Sequence, residues 1–242
     1  MVRKKFSTHI ISFIFKSLCA LVIIGVLGII IWRFFAAANP DSMKRIIPNK
    51  ALCQAYVEHE KINVFTQDQD SITRGDKSYG YFSVTEAEFY EEAEQVQIIF
   101  RYNDSTLRHL CEDYGLDQVP AKESEVYDVT LTIAYDLTPE NTEDNAGNNP
   151  ESVRFERVHA SRSASDSKAI YNFRRFVFDG VKIDNSVLAV YVDVYYNQDI
   201  NYDEEAYGTL IIYDYKSQKE YYSLSSQDKK TLDRWTDYFG GE

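Results

Sequence analysis

Glycine and proline are scarce in this 242-residue chain, which contains only 10 Gly and 5 Pro. This scarcity excludes collagen-like and linker-rich architectures. No two of the four histidines lie within four residues of each other, and none neighbours a cysteine, so the common zinc-site spacings are absent. The glycine-rich phosphate loop, the dinucleotide fingerprint and the Gly-x-Ser-x-Gly motif are also missing. The sequence therefore predicts no catalytic, cofactor-binding or metal-binding residue.

Acidic residues are absent from the first 35 positions, which carry five basic residues, and residues 17–32 have no charge at all. With the flanking apolar residues, this stretch reaches the roughly 20 residues that span a bilayer core. We predict a transmembrane anchor over residues 10–35, in contact with the lipid bilayer. The alternative is a signal peptide cleaved after Ala38, at an Ala-Ala-Ala site. We favour the uncleaved anchor, because the apolar stretch is long for a signal peptide.

All the acidic residues lie beyond the anchor. The chain after the anchor is therefore more negative than the whole chain, whose net charge is -12. Such a surface repels phosphate, which argues against a nucleic-acid partner. The numbers of basic residues on the two sides of the anchor are nearly equal, so the positive-inside rule does not decide the orientation. The orientation is therefore predicted from the short N-terminal tail and the long acidic remainder of the chain. They predict a cytoplasmic tail over 1–9, a linker over 36–48 and an extracytoplasmic domain over 49–242.

The predicted domain is mainly β, because hydrophobic residues alternate with a period of two along most of it. Residues 186–197 are apolar on both faces, which predicts a central strand; residues 220–224 are expected to return as a hairpin partner from 207–215. Strands are predicted at 79–89, 95–102, 126–137, 153–160, 169–178, 186–197, 207–215 and 220–224. Strands at this spacing predict an antiparallel β-sandwich. Residues 139–150 are polar and are predicted to form a loop.

Short peripheral helices are predicted at three places by apolar residues at helical spacing. They cover residues 49–60, residues 105–114 and the C-terminal stretch that carries Leu232, Trp235 and Phe239. Asp104 or Ser105 is the expected cap of the second helix, and residues 225–228 resemble a capping box for the third.

Three runs, RYNDSTL at 101–107, YNFRRFVFDG at 171–180 and VYVDVYYN at 190–197, follow an anchor that ends in WRFF. In these runs the chain resembles an uncharacterised family of membrane-anchored proteins from clostridia-type Gram-positive bacteria. The resemblance covers most of the chain. It implies a location at the membrane, and it implies no activity or catalytic residues.

Several residues are of types that can bind ligands or metal ions, but a structural role explains each of them better. Arg174 and Arg175 point to opposite faces of a strand, so at least one requires a carboxylate partner, which we expect to be a structural ion pair. Residues 199–205 have the Asp-x-Asn-x-Asp spacing of a calcium loop but lack its glycine and its distal glutamate. We expect no tight calcium site there. Cys53 and Cys111 are either bonded to each other or buried as free thiols.

His59 lies between two glutamates and is read as part of a solvated charge cluster, and the many aromatic residues are read as core. The expected function is a membrane-anchored binding or assembly module of the cell envelope. Its partner would be an envelope protein, a wall polymer or a second copy. The alternative is a membrane-tethered, glycosidase-like hydrolase that uses a pair of carboxylates in a cleft.

Overall fold

The computed structural model describes residues 2–59, 62, 64–66, 82–120, 126–137, 153–196, 206–216 and 218–239, with side chains from residue 12 onward. The chain divides into two compact units, Met1–Ala38 and Asn39–Glu242.

The first unit is one continuous helix, α1 (Val2–Ala37). Its segment Ser12–Ala37 has a mean hydropathy of 2.7 over its most apolar window, and none of that window is buried within the protein. A helix of 26 residues is long enough to cross a hydrocarbon core of about 30 Å. The predicted N-terminal apolar helix is confirmed, and its length and composition suit a membrane span.

The second unit contains ten described strands, three α-helices and a short 3-10 helix at Glu91–Ala93. The helices are α2 (Lys50–Glu58), α3 (Asp104–Asp113) and α4 (Ser226–Phe239). The strands are β1 (Val64–Thr66), β2 (Ser83–Tyr90), β3 (Gln95–Tyr102), β4 (Tyr127–Asp136), β5 (Val153–His159), β6 (Arg162–Lys168), β7 (Tyr171–Asp179), β8 (Val187–Tyr196), β9 (Gly208–Asp214) and β10 (Glu220–Tyr222).

The strands form two antiparallel sheets, which confirms the predicted mainly β, sandwich-type fold. The six-stranded sheet has the order β10-β1-β2-β3-β7-β6, and the four-stranded sheet has the order β5-β4-β8-β9. Strand β8 lies inside its sheet between β4 and β9, as its apolar composition predicts. The interface between the sheets is one large apolar core, and it includes the inward residues Val96, Ile98, Phe100, Leu131, Ile133, Phe176, Val190 and Val192.

A second apolar core covers the outer face of the six-stranded sheet, where helices α2 and α4 pack. Leu52 from α2 and Leu232 from α4 are both fully buried there, together with Val64 and Tyr90 from the sheet. The domain therefore has three layers: the helices, the six-stranded sheet and the four-stranded sheet. Polar residues that face outward from the middle sheet are consequently enclosed rather than solvated, and the candidate site arises from this arrangement.

Helix caps explain where the short helices begin. Asn49 caps α2 by accepting a hydrogen bond from the backbone N–H of Leu52 at 2.8 Å. Helix α3 is capped by Asn103 in a reciprocal box with Thr106, so the expectation of Asp104 or Ser105 as the cap is wrong. Asn103 has the extended backbone that a capping residue requires, whereas Asp104 is already helical.

Three features of the sheets differ from the sequence-based expectation. Strand β10 does not pair with β9; it pairs with β1 in the other sheet, so the predicted hairpin is wrong. Two strands, β1 and β6, were not predicted. Strand β1 has only three residues, and the polar β6 lies at a sheet edge where little side-chain burial is needed.

The segment expected to be a linker belongs largely to the domain, because the unit boundary falls between Ala38 and Asn39. Met43 and Ile46 within it are buried. Cys53 and Cys111 are free thiols in the structure. They lie in the two different apolar cores, so the disulfide alternative is wrong. The predicted loop 139–150 lies outside the described residues.

Candidate functional site

A cleft of about 630 Å³ opens on the outer face of the six-stranded sheet. This volume is in the range of small-molecule sites, which span roughly 300–1,000 Å³. Three parts of the chain form its walls: strand β2, the segment 39–48, which we call the strap, and the turn from β10 into α4. The lining residues are Asn39, Asp41, Lys44, Arg45, Glu86, Glu88, Tyr222, Ser223, Ser225, Gln227 and Asp228.

A β-bulge in strand β2 places its two glutamates in this cleft. The register with β3 shifts between Val84 and Glu86, so Val84 faces the sandwich core while Glu86 and Glu88 face outward. In a regular strand, side chains alternate between the two faces, so Val84 and Glu86, which are two residues apart, would lie on the same face. The bulge places them on opposite faces.

Arg175 on strand β7 forms the base of the polar network behind the cleft. Its side chain is 1% exposed, and its guanidinium forms an ion pair with the Glu88 carboxylate. Nε donates to the Gln97 side-chain oxygen at 2.7 Å, and Nη1 donates to the Met43 carbonyl at 2.7 Å. The predicted carboxylate partner for one of the two arginines is therefore confirmed. A buried charge of this kind is tolerated only when such partners surround it.

Glu88 is fully occupied by these and further bonds. The Tyr90 and Tyr222 hydroxyls each donate to it at 2.8 Å. Burial, followed by the charge on Glu88, holds the pKa of the Tyr222 hydroxyl well above its usual range, so this tyrosine stays a donor. The carboxylate of Glu88 therefore serves as an acceptor at the centre of a fixed network.

The strap is held on the sheet by backbone as well as side-chain bonds. Gln97 accepts from the Ile47 N–H and donates to the Ile47 carbonyl, each at 3.0 Å. The Ile46 N–H donates to Asp228 at 3.3 Å, and Arg162 donates to the Pro48 carbonyl at 3.0 Å. This wall of the cleft is thus held in place by hydrogen bonds within the protein itself.

Glu86 differs from the other carboxylates that line the cleft. Its carboxylate accepts a hydrogen bond from the neutral Asn39 amide, with 3.1 Å between Asn39 Nδ2 and Glu86 Oε2. Burial raises the pKa of the Glu86 carboxyl, and the neighbouring Glu88 charge raises it further, against a smaller opposite effect of Arg175.

The basic residues of the cleft both come from the strap. Lys44 donates to Asp41 at 2.9 Å in an exposed pair. Arg45 faces Gln227: with the amide oriented so that its oxygen accepts, the Arg45 Nε–H donates at 2.8 Å. The cleft therefore presents carboxylates, a guanidinium, hydroxyls and amides, which together can recognise a polar, charged ligand. Among the residues the structure describes, no group of three or more His, Cys, Asp or Glu side chains could hold a metal ion.

The residues singled out in the sequence lie mostly elsewhere. Arg174 faces the inner side, with its guanidinium carbon 4.7 Å from the Phe176 ring centre and 5.5 Å from that of Tyr127. His59 is the C-cap of helix α2, and it belongs to no group of potential metal ligands among the residues that the structure describes. The calcium-like segment 199–205 lies outside the described residues. Many aromatic residues fill the sandwich core, as expected.

Three residues of the cleft were not predicted from the sequence: Glu86, Arg45 and Asn39. The sequence does contain a relevant pattern, since glutamates alternate with apolar residues along β2. The pattern alone does not predict the bulge, and the face that the glutamates occupy depends on the bulge.

Comparison with known proteins adds no relative, since no family model, no curated protein and no solved structure matches this chain. The case for a function rests on the geometry of the cleft and on the apolar N-terminal helix.

Proposed function

We propose that this protein is a membrane-anchored, extracytoplasmic binding module, and that the cleft on the six-stranded sheet is its recognition site. The observation that carries the proposal is the mixed-charge cleft of about 630 Å³, whose walls are held by the Arg175 network and by the strap. Walls that are held by internal hydrogen bonds lose little conformational entropy when a ligand enters. The ligand would belong to an envelope protein, a wall polymer or a second copy.

The location in this proposal follows from the charge distribution. The apolar helix follows a basic tail without acids, and the acidic residues all belong to the chain beyond it. An acidic domain is repelled by the anionic cytoplasmic leaflet, which supports its placement on the outer side.

A hydrolase is the second candidate, and the raised pKa of the Glu86 carboxyl is the observation that favours it, because general acids in glycosidases require a raised pKa. Its weakness is the second carboxylate. Glu88 accepts from Arg175, Tyr90 and Tyr222, and these bonds oppose its use as a nucleophile or base. Binding therefore accounts for the cleft better than catalysis does.

A photo-crosslinking amino acid at Ser223, which lines the cleft, tests the binding function in intact cells. The matched control carries the same group at Glu156, which is exposed on strand β5 of the other sheet. We expect an adduct from position 223 that is absent from position 156 and that disappears when Ser225→Trp fills the cleft. Adducts that form equally at both positions, or that survive Ser225→Trp, would contradict a cleft-borne binding function.

The hydrolase candidate is tested with the purified full-length chain and isolated wall polymer. We expect no release of new reducing ends above the background of a protein-free sample. Release that is lost in Glu86→Gln and kept in Glu58→Gln, an exposed control on helix α2, would establish the hydrolase instead.

A further inference from the structure

Two oppositely charged side chains line the cleft, and neither forms a salt bridge with another residue that the structure describes. The carboxylate belongs to Glu86 on strand β2, and the guanidinium belongs to Arg45 on the strap. Within the described part of the cleft, the hydrogen bonds of both go to neutral amides, Asn39 for the carboxylate and Gln227 for the guanidinium.

Each of the other acidic groups of the cleft has either an ion pair or two hydrogen-bond donors. Glu88 is paired with Arg175, and Asp41 is paired with Lys44. Asp228 accepts from the Ser225 hydroxyl at 2.5 Å and from the Ile46 N–H at 3.3 Å. Glu86 is therefore the carboxylate with the greatest unmet demand for a positive donor.

The surroundings of Glu86 explain why that demand is large. It is partly buried, and it lies on the same outward face as the carboxyl group of Glu88. A partly buried carboxylate that is bonded only to an amide gains a charge-assisted bond when an ammonium group binds. The raised pKa of the Glu86 carboxyl reports this same unfavourable environment.

We propose that the cleft binds a small zwitterion, an amino acid or short peptide, with its free ammonium group at Glu86 and its free carboxylate at Arg45. This inference rests on the proposed binding function and names the chemistry of the ligand. Arg45 suits the second role because a guanidinium binds a carboxylate through two parallel N–H donors. The hydroxyls of Tyr222, Ser223 and Ser225 and the Gln227 amide supply neutral partners for a peptide group.

Calorimetry on the full-length chain in detergent micelles tests the proposal with four probes. These are alanine, alanyl-alanine, N-acetyl-alanyl-alanine, which has no ammonium, and alanyl-alanine amide, which has no carboxylate. We expect alanine or alanyl-alanine to bind, and each blocked form to bind at least about tenfold more weakly than alanyl-alanine. Comparing alanine with alanyl-alanine distinguishes a free amino acid from a peptide end as the natural ligand.

Two variants locate the two charges. Glu86→Gln should lower the affinity for the zwitterion at least about tenfold and leave the affinity for the N-acetylated probe unchanged. Arg45→Gln should also lower the affinity for the zwitterion at least about tenfold, but leave the affinity for the amide probe unchanged. The matched controls, Glu58→Gln and Arg154→Gln, change exposed charges away from the cleft and should leave affinity unchanged. Melting temperatures no more than about 3 °C from that of the wild type would show that all four variants remain folded.

The outcomes separate this inference from the binding function beneath it. Equal binding of blocked and free dipeptides, or no binding of any probe up to about 10 mM, would overturn the zwitterion proposal. In that case, a cleft-specific adduct at position 223 would still support the binding function. If the adduct is also absent, both proposals are wrong.

Discussion

At the scale of single residues, Arg175 shows how a polar network can sit inside an apolar fold. Burying a guanidinium costs several kcal/mol unless its donors are satisfied. Here Glu88 supplies the opposite charge, and the Gln97 side chain and the Met43 carbonyl accept two further donors. The need for a partner was predictable from the sequence, because neighbouring arginines on a strand point to opposite faces. The identity of the partner was not, since Glu88 is distant in sequence and faces outward only because of the bulge in β2.

Replacing Arg175 with methionine should destabilise the domain by about 3–5 kcal/mol, because Glu88 would be left buried without a cation. Urea unfolding monitored by fluorescence measures this loss. The double variant Arg175→Met with Glu88→Leu should recover a large part of it, since both charges are then removed. If the single variant is as stable as the wild type, the ion pair contributes nothing to the fold.

Glu86 predicts how stability depends on pH. Its folded-state pKa lies above the ordinary value of 4.5, so the folded chain binds more protons than the unfolded chain in this window. The contribution of Glu86 to stability is therefore favourable at low pH and is lost as pH rises from about 4.5 through the folded pKa.

Glu86→Gln removes this dependence while keeping an acceptor for Asn39. We expect the variant to melt about 1–3 °C above the wild type at about pH 8, and to show no such advantage at about pH 4. Glu58→Gln, at an exposed position, should show no pH-dependent difference. A Glu86→Gln effect of the same size at both pH values would contradict a raised pKa at this residue.

At the scale of secondary structure elements, strand β8 is the best test of the sandwich core. Val192 is fully buried, and its strand is flanked by β4 and β9. Val192→Asp should cost more than about 3 kcal/mol, because an unpaired carboxylate would enter the core.

The matched control for this variant is Ile211→Asp on the neighbouring strand β9. Ile211 is half exposed, so this change should cost less than about 1 kcal/mol. Thermal and urea unfolding measure both variants. Equal effects at the two positions would mean that Val192 does not contribute more to the core than an exposed residue.

Local pattern predicted the elements well and their long-range pairing less well. Strands β3, β4 and β8 fall within about one residue of their predicted ends, since continuous alternation depends only on the residues of the strand itself. The pairing of β10 with β1 joins residues 64–66 to 220–222, which no local pattern encodes. Strand β6 contains a single apolar residue, Ala164, so its sequence has no hydrophobic alternation from which a strand could be predicted.

At the scale of the whole molecule, the candidate site could not be read from any one stretch of sequence. Its walls come from residues 39–45, 86–88 and 222–228, which are brought together only by the folded sheet. The strap was also misjudged as a linker, because its two prolines and its polar residues resemble a tether. Its role depends on Gln97 and Arg175, which are far from it in sequence.

Membrane topology is the prediction that concerns the whole chain, and thiol labelling can test it with little background. Cys53 and Cys111 are buried, and burial raises the pKa of both thiols, which disfavours the reactive thiolate. Cys19 lies within the apolar helix. An impermeant maleimide should therefore report almost entirely on a cysteine introduced for the purpose.

We expect Glu156→Cys to be labelled in intact cells, because this exposed position belongs to the domain that we propose to lie outside the membrane. Ser7→Cys, in the basic N-terminal tail, should be labelled only after the membrane is permeabilised. The reverse pattern would place the domain in the cytoplasm. Loss of the tail from the mature chain, with Asn39 as the new N-terminus, would show instead that the helix is a cleaved signal sequence.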